Sequence, residues 1–116
     1  MTNRNRTVDR VREELSAHPS LREVEMFGGT SFMVEDKLVV NVRRDGQLLV
    51  RVDPEHGPAL IAERGARRAR MGPARDMGPG WLEVLPELVA TGEQLTFWID
   101  TAMTYTAALP PARTRR

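Results

Sequence analysis

Few residues in this 116-residue chain have the type and spacing to do chemistry. A metal site needs histidines or carboxylates at ligand spacing. The two histidines, His18 and His56, stand far apart, each beside a helix boundary and without a neighbouring ligand. Nucleophilic catalysis would need an activated serine, yet in "GGTSF" no glycine follows Ser31 at the offset of a nucleophile elbow. Glu23 and Glu25 share one strand face and have the form of an acid–base pair, but neighbouring strand carboxylates of this kind are ordinarily solvated. The stretch "MGPARDMGPGW", residues 71–81, holds glycines whose amides can form an anion nest, with Arg75 supplying charge. The simpler reading is a rigid loop pinned by Trp81. No catalytic residue, cofactor or metal is expected, and the chain reads as a non-enzyme.

Charge offers a second kind of chemistry. The net charge is +1, but sixteen arginines stand against one lysine, Lys37. They cluster at Arg4, Arg6, Arg10 and Arg12, at Arg64, Arg67, Arg68, Arg70 and Arg75, and at Arg113, Arg115 and Arg116. Such clusters can hold nucleic-acid phosphates. Near-neutral total charge, the flanking acids Glu63 and Asp76, and the lack of interleaved aromatics argue against it. Direct nucleic-acid binding is therefore the alternative reading, and a small-ligand or anion site in the 72–80 loop is the third.

The elements that would carry these groups follow from periodicity. Val8, Val11 and Leu15 recur at helical spacing, giving a helix over about 7–18 with Thr7 as cap, stopped by Pro19. Residues 1–6 and 111–116 read as polar tails of one domain spanning 1–116. From Leu21 to Asp53 the period becomes two. Within it, "RRDGQ" admits two hairpin registers. A two-residue turn mixes charged and apolar residues on both faces. A three-residue loop, Arg44 to Gly46 with Gly46 left-handed, sets Val42 against Leu48 and Val40 against Val50. Carried backwards, one face collects Val24, Met26, Phe32, Val34, Leu38, Val40, Val42, Leu48, Val50 and Val52. The other carries Glu23, Glu25, Ser31, Lys37, Asn41, Arg43 and Arg51, with apolar Phe27, Met33, Val39 and Leu49 among them. Gly28 and Gly29 fall at the reversal between the first two strands and read as turn residues; a phosphate loop would lead into a helix instead.

A second helix follows from Asp53 as cap and Pro54 as first residue to Gly65. Short strands are expected near 67–71 and 81–85, then a long helix opened by the Thr91/Gln94 capping-box spacing and striped by Leu95, Trp98, Ile99, Ala102, Met103, Thr106 and Leu109. The fold class is α+β: two layers, an antiparallel sheet (a four-stranded meander plus two further strands) packed with three helices. With no cysteine, no apolar run of membrane length and no signal-like start, the expected location is the cytoplasm.

Taken in order, "MFGGTSFMV", "KLVVNVRRDGQLLVRVD", "MGPARDMGPGWLEV" and a final helix ending "YTAALPP" resemble the N-terminal domain of the TfoX/Sxy competence-regulator family over about residues 8–110. The resemblance implies a bacterial, cytoplasmic protein with regulatory work. Full-length members join this domain to a C-terminal helical domain and promote transcription of DNA-uptake genes by helping another activator. The expected partner is thus a protein, a transcription activator or a second copy in a homodimer. Its contacts would be a sheet edge or Phe27, Met33 and Leu49, with Arg68, Arg70 and Arg75 as charged contacts.

Overall fold

The computed structural model describes residues 3–26, 29–70, 78 and 80–109. Its order is α1 (Asn3–Glu14), β1 (Leu21–Met26), β2 (Gly29–Val34), β3 (Lys37–Arg43), β4 (Leu48–Arg51), α2 (Gly57–Arg64), β5 (Arg67–Arg68), β6 (Trp81–Val84), a 3₁₀ turn at Pro86–Val89, and α3 (Gly92–Ala108). The strands form one six-stranded sheet in the order β1-β2-β3-β4-β6-β5, antiparallel at every pairing. The α+β class and the opening meander therefore stand as the sequence implies.

Cross-strand rows show where the core lies. Phe32, Val40, Val50 and Leu82 stand side by side across four strands, and Val42, Leu48 and Val84 form the next row. All seven are buried, beneath Val8 and Val11 of α1, Leu15 just after it, and Leu95, Trp98, Ile99 and Ala102 of α3. The β3–β4 hairpin takes the register with the apolar face: Val42 opposes Leu48 and Val40 opposes Val50. Its loop residue Gly46 has φ 88°, where a side chain would be strained.

Four expectations are corrected. First, α1 begins at Asn3, inside the stretch read as a tail, and Thr7 is buried within it rather than capping it. Second, α2 begins at Gly57. Asp53 instead accepts the Glu55 N–H at 2.9 Å in a turn ahead of the helix, because Gly57 and Pro58 delay regular structure. Third, β1 has the opposite parity. Val24 opposes Ser31 and Glu23 opposes Phe32, so Val24 leaves the helix-covered face and the glutamates join it. Only residues 27 and 28 separate paired Met26 and Gly29, an odd offset from the register inferred from hydrophobicity, and an odd offset swaps the faces. The charge on that face is accommodated because Arg12 of α1 donates to both Glu23 carboxylate oxygens, through Nη2 at 2.8 Å and through Nε.

Fourth, a bulge sits where Phe32 pairs with Val40 but Met33 pairs with Leu38. Val39 is the extra residue, so Val39 and Val40 are both fully buried while Leu38 passes to the other face. Lys37 moves the other way. Its ammonium donates to the Thr106 and Leu109 carbonyls, each at 3.0 Å, and so caps the C-terminal end of α3. At the start of α3, Gln94 N–H donates to Thr91 Oγ1 at 3.1 Å while Thr91 N–H donates to the Gln94 side chain at 2.9 Å.

Gly29 also changes meaning. It is the first residue of β2, and a Cβ there would lie 2.1 Å from the Val42 carbonyl oxygen. Glycine is needed for close approach of β2 to β3, not for a turn. Gly28 lies outside the described residues.

Candidate functional site

The residues singled out by sequence do not converge. Phe27, Arg75 and most of the 72–80 loop lie outside the described residues. Leu49, expected on the surface, is fully buried, and Met33 is half-buried. The reason is the second sheet face. Its central row runs Val24, Ser31, Asn41, Leu49, Glu83 and Arg67. Asn41 donates to Ser31 Oγ at 2.7 Å, and both side chains are fully buried. Arg43 spans the intervening β4 to reach Glu83 at 2.9 Å and donates to the Arg70 carbonyl at 2.8 Å. The chain leaving β5 therefore lies within reach of this face, whose described centre holds a polar network around Leu49.

The arginines are largely engaged within the fold. Arg10 donates to the Thr91 carbonyl at 3.2 Å, Arg12 holds Asp9 and Glu23, and Arg67 reaches Glu83 at 3.3 Å. Arg64 lies over the Phe97 ring, 4.0 Å from its centroid. Arg68 and Arg70 are exposed, but strand alternation turns Arg68 away from Arg67. A single continuous cationic surface does not form from these side chains. Among the described residues, no group of histidines and carboxylates is placed to hold a metal ion, and no helix is long and apolar enough to cross a membrane.

Two features of the described residues stand out as places for another molecule. One is β1. The sheet ends at β1 on one side and at the two-residue β5 on the other, so β1 is the long edge, its six residues paired to β2 and, among the described residues, to no second strand. Its side chains are half-buried Leu21 and Val24 and exposed Arg22, Glu23 and Glu25. Thr30 donates its hydroxyl to Glu25 at 2.8 Å, and Arg22 pairs with Asp36 at 2.8 Å. The hydrogen bonds from Arg12 hold the Glu23 carboxyl below the usual carboxylate range despite partial burial, and Glu23 in turn pushes the Arg12 pKa up.

The other is a cleft of about 470 Å³ between α3 and the turn ahead of α2. Phe97, Asp100, Thr104 and Tyr105 line one wall, with Asp53 and His56 across from them. The sequence reading missed this cleft. Its only local signal is that Phe97, Thr101, Thr104 and Ala108 recur at helical spacing beside the core stripe.

These features define a class: an α+β module with one sheet face under helices, a polar network at the centre of the other, and β1 as its long edge. Residues 13–106 match the model of the TfoX N-terminal domain, and the chain belongs to that family. No curated protein matches the sequence.

Proposed function

We propose that this chain is a non-catalytic regulatory domain that captures a protein partner by adding a strand to β1. The observation that carries the reading is the six-residue edge strand β1, which among the described residues pairs with β2 alone. Unpaired strand backbone is a ready template for another chain, and side chains at alternate positions select it. Family membership supports a role in control of transcription, with an activator protein as the partner.

Charge on β1 argues that the partner is not a second copy. Two copies pairing antiparallel about a two-fold axis must match residues of the same face, so paired residue numbers sum to an even value. Two such registers pair five residues. One sets Glu23 against Glu23; the other sets Glu23 against Glu25 twice. Like charges directly opposite each other are destabilising. A strand with lysine or arginine at alternate positions avoids this and meets both glutamates with opposite charge.

Photocross-linking in the cell of origin tests the reading. A cross-linker at position 22 on β1 is expected to trap a protein that one at position 104 on α3 does not. Cross-links from 104 with none from 22 would contradict it.

A further inference from the structure

We propose that the cleft between α3 and the 53–56 turn is a binding site for a small organic cation with an apolar body, such as an arylalkylammonium. The site lies on α3, shares no residue with β1 and does not depend on the strand-addition reading.

The lining decides the ligand class. In a chain with sixteen arginines, the cleft is lined by two carboxylates, Asp53 and Asp100, and by no arginine or lysine. Arginines do stand close by, yet they lie against aromatic rings. The Arg64 guanidinium is 4.0 Å from the Phe97 centroid, and that of Arg51 is 5.9 Å from Tyr105 and 5.6 Å from Trp81. Among the described residues, neither Asp53 nor Asp100 forms an ion pair. Asp53 accepts the Glu55 N–H, and the side chains of Asp100, His56, Thr104 and Tyr105 make no hydrogen bond to described residues. Among the described residues, these acceptors therefore have no protein cation paired with them.

The walls decide the shape. Phe97 and Tyr105 are both half-buried and stand two helical turns apart on α3, with Asp100 between them. An apolar body lying along the helix would touch ring carbon while its cation reaches a carboxylate. At about 470 Å³ the cleft suits a ligand of one or two rings. An anion of the same shape would meet two carboxylates.

The test uses two ligands that share a ring system and differ in charge, titrated into the full ¹⁵N-labelled chain and followed by backbone amide shifts. Tryptamine is expected to shift the amides of 53, 55, 56 and 97–108 saturably, and to bind about tenfold or more tighter than indole-3-acetate. The exposed and half-exposed acids tolerate Asp53→Asn with Asp100→Asn, and the amide spectrum itself verifies the fold. That double variant is expected to bring the two ligands within about threefold of each other. The proposal is overturned if tryptamine leaves these amides unmoved, if indole-3-acetate binds as tightly, or if the double variant keeps the preference.

Discussion

A charge reversal at one residue should turn the β1 edge from self-avoiding to self-pairing. In the register that sets Glu23 against Glu25, two-fold symmetry creates two identical like-charge pairs around a central Val24–Val24 pair. Glu25→Lys converts both into opposite-charge pairs and leaves the backbone pairing unchanged. A directly opposed charge pair is worth roughly 0.2–1 kcal/mol in either direction. The change is then about 0.4–2 kcal/mol per pair and about 0.8–4 kcal/mol for two, or about 4-fold to about 700-fold in the dimer constant. Because Arg12 already offsets the Glu23 charge, the lower half of that range is expected. The substitution also removes the Thr30–Glu25 hydrogen bond, a cost within each monomer that leaves the sign of the dimer effect unaltered. Sedimentation velocity over a concentration series reads the result. The parent chain and Glu25→Gln should stay monomeric where Glu25→Lys dimerises, and added salt should weaken the dimer. A monomeric Glu25→Lys, or a parent that dimerises through β1 as tightly, would refute the reasoning.

Other expectations follow from single contacts. Lys37→Met keeps the stem but removes the ammonium from the Thr106 and Leu109 carbonyls, so stability should fall by about 1–2 kcal/mol with faster amide exchange at the end of α3; an unchanged melting curve would deny the cap. Glu23 has a depressed pKa when folded, so its stabilising contribution is present at neutral pH, above the unfolded value of about 4.3, and is lost as pH falls through the folded value. Glu23→Gln should therefore cost at most about 1 kcal/mol at pH 7, given the exposure of the pair, and should flatten acid denaturation; parallel pH curves would refute it. With Arg10, Arg12, Arg43 and Arg67 engaged within the fold, duplex DNA should bind no tighter than about 10 μM at physiological salt. Submicromolar binding abolished by Arg68→Glu with Arg70→Glu would make this a nucleic-acid-binding protein.

What the sequence disclosed was local. The Thr91/Gln94 box and the Arg44–Gly46 loop are set by residues within a few positions of one another, and both stand as read. The parity of β1 was not legible, because Glu23 faces the helices only by virtue of Arg12 on a separate element. The Val39 bulge was hidden for the same reason: Lys37 turns inward to meet carbonyls about seventy residues away. Leu49 looked exposed by alternation, yet it is fully buried on the face that Arg43 crosses to reach Glu83, a contact between β3 and β6 that alternation does not encode. The cleft joins residues 53–56 to 97–108, a juxtaposition that no periodicity encodes.

Hydrogen exchange along β1 tests the central claim most directly. The chain is incubated with an extended peptide carrying lysine at alternate positions, and separately with its glutamate counterpart. Strand addition predicts that amides across Leu21–Met26 slow with the lysine peptide and not with the glutamate one. Equal protection by both peptides, or protection confined to other strands or to α3, would contradict it.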